Sequence, residues 1–337
     1  MLRIMKKRGE EMKKLLMISS MILTMLSMLL TGCQEALVPP QALLVPERAN
    51  AIAKVKIAEI LNDEDTAALY AYYAAEVEDP YTPRTLEEAL DKIKEETGVD
   101  LRYFDEAMLF ADISTLENAI PYWGVIVTCN VPAKHLFEIS KLFGGEELPR
   151  QEYNGYEIYV IDSELGFTFL SSELIVIGPL SPVKDVIDTR LGSNRPISGT
   201  IYDLYEGLGD PLVKLAFNIP PELKREIPET FEESGFSVNL LPLRDIATVS
   251  CVLDKRGEII TAKAELHFMN TLSAETTREL IEDFMTLSKY LWPSPEIKDL
   301  LQKVQVTTYD SQVSVDFDAT LTEIKDLIGA LERENLL

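Results

Sequence analysis

Apolar and polar positions alternate most regularly late in the chain, where 246–253 and 259–268 read as two half-buried strands turned through Gly257. The period then changes. Leu280, Ile281, Phe284, Leu287 and Leu291 fall on one stripe of a long amphipathic helix, the face with which such a helix packs. Pro293 and Pro295 restart the chain as a short helix over 296–303. Residues 304–308 and 313–317 form a hairpin about Asp310-Ser311, and a last helix covers 321–331. The first half uses the same grammar. Apolar runs at 108–113 and 122–130 precede a helix over 132–143 that Gly144-Gly145 halts. Strands at 157–161, 167–170 and 174–177 follow, then a helix with Ser181 as its cap and Pro182 at its first position. Tyr153-Asn154-Gly155-Tyr156 is the strongest turn signal, because Asn-Gly supplies the positive φ angles of a tight hairpin. Thr85-Leu86-Glu87-Glu88 is a capping box for a helix that ends at Gly98. The stretch 49–78, with Ile52, Val55, Ile57 and Ile60, fits strand or helix.

The two stretches repeat one order: strand, strand, helix, strand pair, helix. Val183-Lys184-Asp185-Val186-Ile187 occupies the place that Ile324-Lys325-Asp326-Leu327-Ile328 takes later. Hairpins dominate and no parallel crossover is forced. The expected fold is therefore α+β: antiparallel sheets with helices packed on one face, in two similar halves over 50–198 and 199–337.

The N-terminus changes the picture. Lys13 and Lys14 follow Met12, residues 15–30 carry no charge, and Leu30-Thr31-Gly32-Cys33 closes the run. Basic end, apolar stretch and small-residue cleavage site describe an export signal. Sixteen uncharged residues fall short of the ~20 a membrane-spanning helix needs. The tetrad resembles the lipobox of bacterial prolipoproteins. That resemblance implies a signal peptide over 1–32, cleavage between Gly32 and Cys33, diacylglycerol on the Cys33 sulfur and an acyl chain such as palmitate on the new amine. Residues 1–11 read as an upstream start. Residues 33–49, with Pro39, Pro40 and Pro46, read as a tether. The expected location is the extracytoplasmic face of the cell membrane. In a host with two membranes it is the outer one, since Gln34, not aspartate, follows the cysteine.

Hydrophobic residues make up 46% and charged residues 26% of the chain, the balance of a folded protein. Residues 1–32 hold six basic and two acidic side chains, so the formal charge of −24 becomes −28 from Cys33 onward. Such a body repels phosphate backbones, which excludes a nucleic-acid partner on electrostatic grounds. It repels anionic headgroups too, leaving the acyl chains to hold the protein at the membrane.

Chemistry-bearing patterns are few. His267 lies on a polar strand face with Lys263 and Glu265, and His135 sits at the edge of a helical apolar stripe. Neither has a second ligand at zinc spacing. No Gly-x-Ser-x-Gly elbow, phosphate-binding loop or dinucleotide fingerprint occurs. Asp63-Glu64-Asp65 lacks the ligand spacing of a calcium loop. Asp316 and Asp318 share an outward strand face, where a solvated sheet surface outweighs a glycosidase pair. Cys129 and Cys251 share their alternation faces with apolar residues and read as buried and unpaired. Tyr70, Tyr72, Tyr73, Tyr81, Tyr103, Tyr122, Tyr153, Tyr156 and Tyr159, with Trp123, read as packing, with an aromatic-lined groove as the alternative. No catalytic residue, metal or cofactor is expected.

The segments Glu95-Glu96-Thr97-Gly98-Val99-Asp100, Tyr153–Tyr159, Leu174–Gly178 and Val183–Ile187 together look like a loose group of exported bacterial and archaeal proteins of unknown function. That resemblance supports the fold and brings no catalytic residues. The expected protein is a non-enzymatic, lipid-anchored lipoprotein that binds or scaffolds. The alternatives are a carrier of an apolar or lipid ligand and, less favoured, a hydrolase.

Overall fold

A computed structural model describes residues 40–76, 81–97, 99–115, 121–129, 148–161, 163–233, 236–291 and 294–333. The expected export signal, Cys33 and the helix expected at 132–143 with His135 lie outside these residues. Fourteen strands and nine α-helices occur among them. The strands are β1 (Ala51–Val55), β2 (Phe104–Ala111), β3 (Trp123–Cys129), β4 (Arg150–Tyr153), β5 (Tyr156–Val160), β6 (Leu165–Phe169), β7 (Leu174–Pro179), β8 (Val213–Asn218), β9 (Thr230–Glu233), β10 (Phe236–Asn239), β11 (Ile246–Arg256), β12 (Ile259–Phe268), β13 (Gln305–Tyr309) and β14 (Gln312–Thr320). The helices are α1 (Ile57–Leu61), α2 (Glu64–Glu76), α3 (Leu86–Thr97), α4 (Leu180–Arg190), α5 (Thr200–Gly207), α6 (Pro221–Glu226), α7 (Thr271–Leu291), α8 (Pro295–Leu301) and α9 (Leu321–Arg333).

Twelve strands join in one antiparallel sheet, in the order β13-β14-β12-β11-β8-β1-β2-β3-β7-β6-β5-β4, and β9 with β10 forms a separate hairpin. The class is α+β. Read outward from the central β8–β1 pair, the two arms match: β1-β2-β3-β7-β6 on one side, β8-β11-β12-β14-β13 on the other. Because every neighbour is antiparallel, the arms are related by a pseudo-twofold axis perpendicular to the sheet, where Lys54 stands opposite Lys214. The first arm carries the β4–β5 hairpin as an addition.

Alternation sorts side chains to two faces. On the front of the first arm, Ile52, Met108, Phe110, Ile126, Ile158, Leu174 and Val176 form a core with Val183, Val186 and Ile187 of α4 and Ile201 and Tyr205 of α5. Thus α5 packs with this first core, although it lies beyond residue 198. So do Leu44 and Val45, both fully buried, together with Ala42 and Ala49. The last part of the span read as a tether is therefore folded body. On the back of the first arm, Tyr159, Phe167, Ile175, Cys129 and Leu148 cluster. On the back of the second arm, Val249, Phe268 and Val313, with Leu266, Cys251 and Val315 against them, receive Ala274 and Ile281 of α7.

The axis preserves faces, yet the final helices part company. While α4 covers the front, α9 packs on α8 and touches α2, whose leading Asp63 pairs with Lys255 on the back. Residue chemistry accounts for this. The front of β12 and β14 carries Lys263, Glu265, Asp316 and Asp318, whereas their backs carry Leu266, Val313, Val315 and the buried Ala319. An amphipathic helix buries its stripe only on the apolar side.

Two local expectations are corrected. The stripe read on α7 faces the sheet only in part: Ile281 packs against the back core and Leu280 and Leu287 are half-buried, but Phe284 is 62% exposed, and the buried positions are Ser273, Ala274, Thr277 and Ser288. Small residues let the helix approach a sheet already filled by valine and leucine, and this turns Phe284 outward. Helix α4 begins at Leu180, with Pro179 at its cap, so Ser181 lies inside it and makes no cap bond.

At the foot of α5, Asp210 accepts hydrogen bonds from Lys54 (2.5 Å) and pairs with Lys56 (3.0 Å), while Lys54 also reaches Glu106 (3.2 Å). These ammonium groups hold the Asp210 carboxyl at about 2, below the ordinary carboxylate range. A depressed acid stabilises the fold fully above about pH 4 and loses that contribution as pH falls toward 2. Asp210→Asn is expected to lower stability at pH 7 by about 1 kcal/mol or less, since the group is exposed. The difference from wild type should vanish by pH 2, as urea titrations at both pH values would read.

Candidate functional site

The uncovered front of the second arm is where the chain leaves polar chemistry in the open. From β12 it takes Lys263, Glu265 and His267; from β14 it takes Ser314, Asp316 and Asp318. These are the residues whose alternation places them on one polar face, and the structure brings them together. Lys263 pairs with Glu265 at 2.6 Å. Asp316 stands opposite Lys263 and accepts a hydrogen bond from Ser314 Oγ at 2.7 Å. Asp318 is exposed beside Thr261 and is not drawn into a carboxylate pair with Asp316 by any intervening group.

Helix α5 flanks this face, crossing the front of β1, β8 and β11. Its sides divide at helical spacing: Ile201 and Tyr205 go to the first core, Thr200, Asp203, Gly207 and Leu208 face the other way, and Leu204 touches both. These last five and Glu265 line an open cleft of about 420 Å³. Ser250 of β11 stands opposite Glu265 in register, on the same face. It is only 1% exposed, and its Oγ has no hydrogen-bond partner among the described residues. His267 Nε2 is likewise buried and unpartnered, 3.9 Å from a Glu265 oxygen. Burial pushes the His267 pKa down, with Glu265 pulling the other way.

Ser250, His267 and Glu265 thus come from adjacent strands, but no hydrogen bond links serine to histidine and no proton relay is assembled. Sequence alternation placed Lys263, Glu265 and His267. It gave no sign of the α5 wall, which depends on no local pattern. The signal for Ser250 was its place among Ala247, Val249, Cys251 and Leu253, where a polar residue alternates onto the other face.

The remaining candidates resolve into structure. Asp63 caps α2 by accepting from the Thr66 amide at 2.9 Å, and Lys255 bridges it to Asp65 (2.7 Å). Burial alone would raise the Asp63 pKa; Lys255 and Thr66 hold it below the usual value. Among the described residues no cluster of histidine, cysteine and carboxylate side chains with metal-binding geometry occurs. Neither Cys129 nor Cys251 is in a disulfide; the first is buried, the second half-buried with its thiol pKa pushed up by burial. Tyr159 stacks on Phe167 at 5.0 Å on the back, whereas Tyr122 is buried on the front and donates to Asp185 at 2.9 Å. Tyr153 and Asn154 both donate to Asp188 at 2.8 Å. With Tyr81 fully in solvent, the aromatic residues are distributed over both faces and do not converge on a groove. No helix among the described residues is long and apolar enough to cross a membrane.

These features define an α+β protein built on one antiparallel sheet, with a polar half-face beside a cleft. No protein-family profile matches the chain, and no curated protein is similar to it. Among solved structures it is similar to crystal form III of TP0453, at 9% identity and a TM-score of 0.48, covering 88% of this chain and 100% of that one. Crystal forms I and IV of TP0453 give 10% and 9% identity, TM-scores of 0.47 and 0.46, and cover 88% of this chain and 99% of theirs.

Proposed function

We propose that the protein is a lipid-anchored extracytoplasmic lipoprotein whose folded body is a non-catalytic binding module. The observation that carries the anchor is Leu30-Thr31-Gly32-Cys33 at the end of a basic-then-apolar leader. Cys33 bears the lipid; Gly32 and Cys33 flank the cut. Acyl chains contribute ~0.8 kcal/mol per buried methylene, and two chains suffice for stable anchoring. The folded body begins by Ala42, nine residues after Cys33. At ~3.3–3.6 Å per residue, that span reaches about 30 Å at most. The body is therefore held within about one domain's width of the bilayer.

The binding half of the proposal is supported by the polar front of the second arm and by the cleft that α5 and Glu265 line beside it. A hydrolase is disfavoured by the missing link between Ser250 and His267.

Expressed at full length in a bacterium with labelled palmitate, the wild-type chain is expected to take up label and partition into membranes. Cys33→Ala is expected to take up none and to retain its leader. Equal labelling of the two, or an unlabelled wild type in the cytosol, would remove the anchor from the proposal.

A further inference from the structure

We infer that the edge of the sheet at β13 pairs antiparallel with β13 of a second copy of this chain. Tyr309 and Gln312 flank a two-residue turn and bond to each other, so Thr307 and Gln305 also bond β14. The amide and carbonyl groups of Val306 and Thr308 therefore point away from the sheet. Among the described residues no strand pairs with that side of β13. Edge strands of this kind are ordinarily blunted by charge, proline or a bulge. The opposite edge follows that rule, since β4 carries Arg150 and Glu152. Gln305-Val306-Thr307-Thr308-Tyr309 has none of the three. Its neutral run is where two bodies of charge −28 can meet without setting like charges together.

The strand is complementary to itself. With Thr307 on a twofold axis, Val306 stands opposite Thr308 of the second copy, and each such pair exchanges both of its backbone hydrogen bonds. Thr307 meets its own counterpart, a cross-strand hydroxyl pair of the kind that stabilises sheets. Gln305 lies opposite Tyr309, whose ring is 78% exposed in the single copy and is covered by this pairing. Charge follows the same register. Lys303 precedes β13 and Asp310 follows it, so antiparallel pairing brings each lysine beside the other copy's aspartate. A parallel pairing would set like charges together. Lys303 keeps its contact with Glu323, since an ammonium has three donors. Pairing of β13 with β4 would leave edges free and grow filaments, whereas β13 with β13 closes at two copies.

The inference goes beyond the anchored binding module and does not rest on it, because the edge belongs to the folded body. A pairing of five residues is small beside the ~1,000 Å² of a stable interface, so the test is a covalent trap. The detergent-solubilised full chain is oxidised with copper phenanthroline at 0.15 M salt, where charges beyond about 8 Å are screened. Opposed residues of a non-hydrogen-bonded pair have Cα atoms about 4.5 Å apart, within the range a disulfide spans. Thr307→Cys is therefore expected to give a disulfide-linked dimer. Gln305→Cys should give about a tenth as much or less, because its own counterpart lies four residues along, at about 13 Å. Glu152→Cys on β4 should stay at the wild-type background, which the native cysteines set. All three positions are exposed, so these substitutions leave the fold intact. In concentrated wild type the Val306 and Thr308 amides should be protected from exchange. Thr307→Lys, which opposes two ammonium groups across the axis, should release them. Equal cross-linking of Thr307→Cys and Gln305→Cys, the mark of random collision, would overturn the inference. So would a Thr307→Cys chain no more dimeric than wild type.

Discussion

Gly124→Val is expected to destabilise the body by about 3 kcal/mol or more, the upper range for forcing extra carbons into a packed core. A Cβ at Gly124 would lie 2.3 Å from Cζ and 2.6 Å from Cε1 of Phe110, distances no carbon pair tolerates. Phe110 cannot step aside: it is buried, and its ring meets Tyr122 edge-on at 6.2 Å. The cause is a row across three strands. Gly124 stands opposite Phe110 on one side and Gly178 on the other, and Gly178 stands opposite Gly166. Cβ atoms at Gly178 and Gly166 would each come within 2.8 Å of a backbone oxygen, of Trp123 and Tyr159 respectively. The missing side chains let the aromatic ring lie on the sheet, a known remedy for glycine within strands. Urea unfolding measures the cost. If the clash is the cause, adding Phe110→Leu to Gly124→Ala should return part of the loss, although Phe110→Leu alone destabilises. A Gly124→Val chain within 1 kcal/mol of wild type would show that the ring has room to move.

How much of this was legible in the sequence follows from the range of each interaction. Local signals were read correctly. Asn154 and Gly155 both take positive φ (49° and 83°), and Asp310 turns its hairpin at 49°. Thr85 Oγ accepts from the Glu88 amide at 3.2 Å, as a capping box requires. Strands β11 and β12 lie where alternation placed them. Long-range pairing was not legible. Nothing local in 51–55 says that it pairs with 213–217, so the ambiguity of 49–78 resolved into β1, α1 and α2 only through the sheet. The stripe of α7 misled for a related reason: helical period identifies an apolar face but not whether the sheet beneath has room for bulk. The candidate site divides the same way. Its β12 and β14 residues follow from alternation, whereas the α5 wall depends on which face each helix takes. The tetrad at residues 30–33 is a purely sequential signal, and the address proposed from it draws nothing from the fold.

That α5 stands where it does rests on one lysine, and Lys214→Met is expected to release it. Lys214 sits at the pseudo-twofold axis, buried, and its Nζ donates to the carbonyl oxygens of Tyr205 (3.2 Å) and Gly209 (2.8 Å). The same ammonium lies 3.9 Å from the centroid of the Tyr205 ring. It therefore ties the last turn of α5, where the Leu208 amide already reaches Tyr205 O at 3.4 Å, to the central strand β8. Burial pushes the Lys214 pKa down, so holding a charge there has a cost, which methionine removes while keeping similar length. Against that gain stand two charge-assisted hydrogen bonds, each worth about 1.5–3 kcal/mol, and a cation–π contact worth about 1–2 kcal/mol when desolvated. The losses outweigh the relief, and a net destabilisation of about 2 kcal/mol is expected. Its location is the sharper test. Amide exchange should accelerate about tenfold or more across α5, since ~1.4 kcal/mol corresponds to a factor of ten, while β3 and β7 keep their protection. Unaltered exchange in α5 would mean that the apolar contacts of Ile201 and Tyr205 alone hold the helix.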